Sequence, residues 1–335
     1  MKAAVLKGPR QLAVEEVAVP EPGPLQVLVR MRYCGICGSD LHLYRDPRTP
    51  PGSIMGHEFV GEVAEVGRGV TRFGVGDRVW FGGGPVPTWS WKPEYGWDLD
   101  ALLRNDYVRQ MGGYGDYAVH HQLTLALVPP EVGDIGVCMA DQAATALGGV
   151  YASRLRIGES VLVTGAGAVG LWALRCAQLA GARRVCVAEP REGRAAHARR
   201  LGADWVVDPQ QPDVRERVTE FFDGVGPDVV LECSGAGSGV QLAMDCVRLG
   251  GRIAIVGLCH QPVCVNTLQM CVKGVSLNPV ASPDRPGGME VIRQGRADYR
   301  QFPYALVPLE EVPEAFERLM GPTDEVKLII QHPAA

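Results

Sequence analysis

The chain has 335 residues, of which 46% are apolar and 21% charged, and a formal net charge of -5. This length exceeds one ordinary hydrophobic core, so two domains are expected. The acidic balance offers no broad basic field for nucleic acid or an anionic membrane, and no apolar run approaches the roughly 20 residues that span a bilayer.

Met1-Lys-Ala-Ala-Val-Leu-Lys7 is broken by charge, glycine and proline before a signal-peptide core can form. Ten cysteines, mostly inside apolar strands and helices, suit a reducing cytoplasm better than a disulfide scaffold. Residues 1–30 read as short strands. Val14, Val17 and Val19 lie among acidic residues, Pro20-Glu-Pro-Gly-Pro24 is a turn, and Val27-Leu-Val-Arg30 is a strand.

Cys34-Gly-Ile-Cys-Gly-Ser-Asp-Leu-His42 follows, and behind it Gly56-His-Glu-Phe-Val-Gly61. Cys37 offers a thiolate, His57 an imidazole and Glu58 a carboxylate, with Ser39, Asp40 and His42 crowding the thiolate. Soft sulfur, imidazole and carboxylate are a zinc ligand set. A zinc held with one open position supplies the Lewis acidity that alcohol oxidation needs. On these residues alone, Cys34 and Cys37 also read as a redox pair or half of a structural zinc site, and Gly-His-Glu as a turn with a satisfied histidine. No second pair follows, since the next cysteine is Cys138.

Gly61-Glu-Val-Ala-Glu-Val-Gly67 alternates as a half-buried strand does, and Phe73-Gly-Val-Gly-Asp-Arg-Val79 is a glycine-rich turn into another. Many short strands with glycine turns predict a small β-barrel. Residues 81–117 are a long loop carrying Trp89, Trp91, Tyr95, Trp97, Tyr107, Tyr114 and Tyr117. Loops this long are usually functional. The aromatics could line a substrate cleft or a subunit interface, or pack as a satellite core.

From residue 142 small apolar residues predict a helix leading into a second domain. Val161-Leu-Val-Thr-Gly-Ala-Gly-Ala-Val-Gly170 is a buried strand running into G-x-G-x-x-G, with a helix over about 169–180. The next strand, Val185-Cys-Val-Ala188, ends at Glu189, about 20 residues past the glycines. This is the dinucleotide fingerprint in its strand–turn–helix setting. Gly165 permits the turn, Gly167 lets backbone approach the pyrophosphate, and Gly170 lets the helix pack on the strand. The helix N-terminus, at Ala168 and Val169, faces the phosphates. Glu189 would accept hydrogen bonds from the ribose hydroxyls and repel a 2′-phosphate, favouring NAD, while Arg191 and Arg194 close behind soften that preference. Further strands at Trp205-Val-Val207, Val229–Cys233 and Gly250–Gly257 bring Cys233 and Val256 to the cofactor side and predict a doubly wound parallel sheet. The tail returns to mixed helix and strand and ends in Lys327-Leu-Ile-Ile330.

With Gly56-His-Glu-x-x-Gly61 continuing to Val66-Gly67, Val75-Gly-Asp-Arg-Val79, the fingerprint, Leu201-Gly-Ala-Asp204 and Pro308-Leu-Glu-Glu-Val312 with Ala315-Phe316, the chain resembles the zinc-dependent medium-chain alcohol dehydrogenases. The likeness covers almost the whole length and lies in the polyol, sorbitol and threonine dehydrogenase-like branch. It implies an α/β chain with a GroES-like β-barrel at residues 1–147, completed by 276–335, and a Rossmann doubly wound parallel-sheet domain at 148–275.

The resemblance implies roles residue by residue. Cys37 and His57 match zinc ligands, and Glu58 the carboxylate beside or on the metal. The third ligand falls in Cys138-Met-Ala-Asp-Gln142, where Asp141 matches the family position and Cys138 is the competitor. Asp40 matches the carboxylate that orients His57, Ser39 the hydroxyl that takes the substrate proton, and His42 the outer member of the proton relay. Relatives with a structural zinc carry four cysteines at about residues 85–115, where this chain has none, so one catalytic zinc per subunit is expected.

The implied reaction is reversible NAD-linked oxidation of a secondary alcohol to a ketone, on a polyol, sugar, cyclitol or amino-sugar derivative. The competing readings are a zinc-free enone or quinone reductase, an NADP-linked aldehyde or ketone reductase, and a nucleotide-binding protein in a regulatory role. The zinc-free reductases lack the Cys37/His57 pair. The expected partner is a small-molecule alcohol or ketone, with no nucleic acid or membrane, in a homodimer or homotetramer.

Overall fold

The computed structural model describes residues 1–82, 111–259, 261–280 and 283–333. It divides into two compact units, Met1–Met139 with Tyr304–Ala335, and Ala140–Pro303.

In the first unit, β1 (Lys2–Gly8) and β2 (Gln11–Glu16) pair as an antiparallel hairpin. β3 (Gln26–Gly35), β4 (Glu58–Val66), β5 (Arg78–Trp80), β6 (Tyr117–His121) and β7 (Ala126–Leu127) follow. The second unit carries β8 (Ser160–Thr164), β9 (Arg184–Ala188), β10 (Trp205–Val207), β11 (Val229–Glu232), β12 (Arg252–Ile255) and β13 (Ser276–Pro279). β14 (Ala305–Pro308) and β15 (Leu328–Gln331) return to the first.

Among the described residues the first unit's main sheet runs β14-β15-β3-β4-β5-β7, with β6 paired to β3. The long strand β3 is its spine. Register shifts at Leu28/Val29 and Met31/Tyr33 bend it against β4, as bulges do. They leave Gly35 opposite Glu58 on β4, and Ile329 of β15 lies opposite Gly35 on the other side. Three strand ends thus meet in one row. Below them lies a core that includes Met31, Met55, Phe59, Tyr114 and Phe316, the last two edge to face at 5.8 Å.

The second unit's sheet runs β10-β9-β8-β11-β12-β13 with every pair parallel. β8 is buried along its whole length, as a strand covered on both faces must be. The chain steps outward from β8 to β10, then restarts at β11 on the other side of β8. Such a reversal opens a crevice at the carboxyl ends of the strands, where ligands bind in this fold. Trp172 of helix Ala168–Leu179 stacks on Phe302 at 4.0 Å.

The expected limits at residues 147 and 276 fall inside this unit. β13 extends the parallel sheet from β12, and helix Arg285–Arg293 packs on helix Ala140–Ser153. The approach is close enough that a Cβ on Gly288 would stand 2.5 Å from the Ala144 nitrogen. β13 is an edge strand with no buried residue, so it carries no apolar signal to mark it as part of the sheet. No described helix is long and apolar enough to cross a membrane.

Candidate metal centre

The chain leaves β3 at Gly35 and starts helix Gly38–Arg45 with Cys37 as its N-cap. Asp40, at the third helical position, reaches back so that its Oδ2 accepts the Cys37 N–H at 3.0 Å. This is the reciprocal arrangement that satisfies an orphan donor at a helix start. The same oxygen accepts the Tyr114 hydroxyl at 2.5 Å, and Oδ1 lies 3.4 Å from His57 Nδ1. Burial alone would push the Asp40 carboxyl up. His57, Tyr114 and the Cys37 N–H outweigh it and hold Asp40 below the usual carboxylate range. An Nδ1 turned toward a carboxylate presents the other ring nitrogen for ligation.

Gly56 precedes His57 with φ +96, and a Cβ there would stand 2.6 Å from the Tyr114 ring and 2.9 Å from Cys34 Sγ. Only glycine serves at this point of the Gly-His-Glu motif. Cys34 is itself buried, and burial pushes its thiol well up.

The ligand atoms of Cys37, His57 and Glu58 lie within 4.8 Å of one another. Cys138 is not in this group; it is fully buried, and burial pushes its thiol up. One sulfur, one imidazole and one carboxylate, gathered at that spacing, are donors that fit a zinc ion.

Asp141 and Glu58 each meet a cation within their own unit. Arg285 Nε donates to Asp141 Oδ1 at 2.8 Å. Lys327 Nζ bonds Glu58 Oε2 and donates to the Ile36 carbonyl at 2.9 Å. The Lys327 and Glu58 side chains are 3% and 0% exposed. Burial pulls the lysine down, but Glu58 and Cys37 outweigh it and raise its pKa, so it is charged. Lys327, Arg285 and the Tyr114 link to Asp40 were not expected from sequence. For Lys327 the only sequence signal is a cation heading the apolar run Leu-Ile-Ile.

Ser39 and His42 are half-buried on helix Gly38–Arg45 at i, i+3 spacing, which puts them on one face. Arg45 Nη2 donates to His42 Nδ1 at 2.5 Å. Of the aromatic residues noted between 81 and 117, Tyr114 is a core residue, as the satellite-core reading has it, and Tyr117 begins β6. Trp89, Trp91, Tyr95, Trp97 and Tyr107 lie outside the described residues.

In the second unit Gly165 takes φ +86 in the turn after β8, and a Cβ on Gly170 would stand 2.0 Å from the Gly165 carbonyl oxygen. Gly167 caps helix Ala168–Leu179, whose first residues are Ala168 and Val169. A Cβ at Gly167 would find only an Arg194 guanidinium nitrogen within 4 Å, at 3.9 Å, so the turn has open space over it. Glu189 is buried, with Oε2 accepting the Ala166 N–H at 2.7 Å and Oε1 the Arg191 N–H at 3.0 Å. Its carboxylate is tied to the glycine turn itself. Cys233 follows β11 and donates its N–H to the Thr164 carbonyl at 3.0 Å, and Val256 donates to the Glu232 carbonyl at 2.8 Å. The expected cofactor residues therefore gather at the carboxyl ends of β8, β9, β11 and β12.

Residues 23–130 match the alcohol dehydrogenase GroES-like domain, and residues 168–293 the zinc-binding dehydrogenase family. The sorbitol dehydrogenase of Halalkalibacterium halodurans is 36% identical over 273 residues, 78% of each chain. The D-arabitol-phosphate dehydrogenase of Enterococcus avium is 30% identical over 339 residues, covering 96% of this chain and 94% of that one. The crystal structure of 2R,3R-butanediol dehydrogenase from Bacillus subtilis matches with a TM-score of 0.84 at 25% identity, over 99% of both chains. With these relatives and a clustered zinc ligand set, the chain belongs to the zinc-dependent medium-chain alcohol dehydrogenases, enzymes that oxidise alcohols with NAD(P).

Proposed function

We propose that the protein catalyses reversible NAD-linked oxidation of a secondary alcohol to a ketone, on a polyol, sugar, cyclitol or amino-sugar derivative. The observation that carries this reading is the cluster of Cys37, His57 and Glu58 donors within 4.8 Å. The sorbitol and arabitol-phosphate dehydrogenases among the relatives support the polyol class.

Cys37, His57 and Asp141 would hold one zinc per subunit, with Glu58 beside or on it. When bound, zinc supplies Lewis acidity toward the substrate hydroxyl and NAD supplies the hydride acceptor. Asp40 fixes the His57 ring. Ser39 takes the hydroxyl proton, and His42, one turn along the same helix face, passes it outward. Gly165, Gly167, Ala168, Val169 and Gly170 seat the pyrophosphate, with Arg194 alongside, while Cys233 and Val256 border the nicotinamide side. The buried Glu189 carboxylate disfavours a 2′-phosphate and so supports NAD over NADP.

A homodimer or homotetramer fits the exposed face next to β13, which ends the sheet order among the described residues. Leu268 and Val272, on helix Thr267–Lys273 just before it, are 71% and 73% exposed. All ten cysteines are free thiols, which supports a reducing cytoplasm.

The test is a screen of polyols and amino sugars with NAD and with NADP, using protein purified without chelator. NADH formation on a polyol or amino sugar supports the reading. Activity confined to enones or quinones contradicts it.

A further inference from the structure

We propose that His332 is a positioning residue whose second ring proton holds the segment 112–116 in place, and with it the Tyr114–Asp40 link that faces His57. The proposal rests on the reading of His57 as a zinc ligand oriented by Asp40.

His332 follows β15, and its N–H bonds the Arg32 carbonyl of β3 at 3.0 Å. Its side chain is 1% exposed, with Nε2 3.0 Å from the Gly113 carbonyl oxygen and Nδ1 3.5 Å from Asp116 Oδ1. Among the described residues, neither Nδ1 nor Oδ1 has another hydrogen-bond partner. A carbonyl oxygen and a carboxylate oxygen only accept. The ring therefore serves both as the imidazolium alone. With a single proton it turns a buried lone pair on one of the two oxygens, whichever tautomer it takes.

Asp116 is built to meet that charge. Its Oδ2 accepts the Lys2 N–H at 2.7 Å. His332 first, then that N–H and the N-terminal ammonium, hold its carboxyl below the usual carboxylate range against burial. The other charged groups nearby are paired among themselves. Arg30, Arg32 and Glu62 line a cavity with His332, and Arg30 pairs with Glu62 and Arg32 with Asp134. Tyr33, in the same cavity, takes a hydrogen bond from Gln331, and Lys2 Nζ pairs with Glu310.

The segment leads to the metal centre along two lines. Gly112, Gly113 and Tyr114 donate their N–H groups to the Ile54, Gly56 and Met55 carbonyls, each at 3.0 Å, immediately before His57. A Cβ on Gly113 would stand 2.5 Å from Cys34 Sγ and 2.8 Å from the Gly56 carbonyl oxygen, so backbone packs on backbone there. The second line is the Tyr114 hydroxyl on Asp40, whose other oxygen faces His57. Loss of the second ring proton leaves a buried acceptor unmatched at the foot of both lines, and the segment loosens.

The experiment follows His332 by NMR of histidine-labelled protein through a pH titration, alongside zinc release to a chromophoric chelator. In wild type, release should quicken as pH rises through the His332 titration. The expected change is about 3-fold, below the roughly 10-fold or more of a partner that touches a metal ligand directly. Protonation of the ligands themselves has the opposite sign, since it speeds release as pH falls. Asp116→Asn should abolish the rise, because its amide N–H can donate to the Nδ1 of a neutral ring while its oxygen still accepts the Lys2 N–H. His332→Phe should release zinc at the fast rate on both sides of the titration. Release that does not follow the His332 titration in wild type, or a rise that survives in Asp116→Asn, overturns the proposal. If either variant does not fold, the wild-type titration decides. If wild type holds no zinc, the ligand reading fails by itself, and hydrogen exchange at the Gly113 and Tyr114 amides still tests the segment. Exchange that quickens relative to Asp116→Asn as His332 loses its proton upholds the role of the ring, and equal exchange overturns it.

Discussion

Tyr114 donates its hydroxyl proton to Asp40 Oδ2 at 2.5 Å, and both residues are fully buried. The phenol joins the aromatic core through Phe316 and the metal centre through Asp40, so packing in the first unit fixes the carboxylate that faces His57.

Tyr114→Phe keeps the ring and removes one donor from a buried carboxylate. A hydrogen bond to a charged group contributes roughly 1.5–3 kcal/mol, so unfolding in denaturant should show a loss of about 2 kcal/mol. Zinc should also be held less firmly, because Asp40 orients His57 less well. Unchanged stability and unchanged zinc retention would show that the phenol only fills space.

Ser39→Ala tests the proton path. Turnover should fall about 100-fold, in line with the loss of a positioned proton-transfer group. NAD binding, followed by protein fluorescence, should be retained. Unchanged turnover would remove Ser39 from the relay.

Glu189→Ala tests cofactor choice. The carboxylate accepts the N–H groups of Ala166 and Arg191, so its loss also leaves a buried donor unmatched. The KM for NAD should rise about 10-fold, the equivalent of one charged hydrogen bond, while use of NADP improves. An unchanged ratio between the two cofactors would contradict the assignment.

His120 gives stability a pH dependence of its own. Its ring is 2% exposed and packs on Phe59 at 4.7 Å, and burial pulls its pKa down from 6.5 to about 3. The unfolded chain therefore takes up a proton at this residue in a range where the fold does not. The contribution is fully present above pH 6.5 and is lost as pH falls toward about 3. The slope is ~1.4 kcal/mol per pH unit. Denaturant unfolding of His120→Phe across the acid side of that window should show a shallower pH slope than wild type. Identical slopes would refute this origin.

Much of this arrangement is legible in the sequence where local chemistry repeats a strict spacing. The turn of Gly165, Gly167 and Gly170 sits between β8 and helix Ala168–Leu179 because tight backbone approach admits no side chain there. Cys37, His57 and Glu58 stand out because a thiolate, an imidazole and a carboxylate lie in two short motifs. Lys327 has no such signal: its partner is 269 positions away and is reached only through the register of three strands. β13 is equally silent, since an exposed edge strand needs no apolar pattern. Asp141 lies in the first turn of the helix that starts at Ala140, a start that composition does not mark to the residue.

The proposed proton path and substrate class both depend on a working zinc site at Cys37, His57 and Asp141. Elemental mass spectrometry of protein purified without chelator tests it most directly. About one zinc per chain, lost in a Cys37→Ser/His57→Ala variant that still folds, is the predicted result. No zinc in the wild-type protein, or zinc retained in full by that variant, would contradict it.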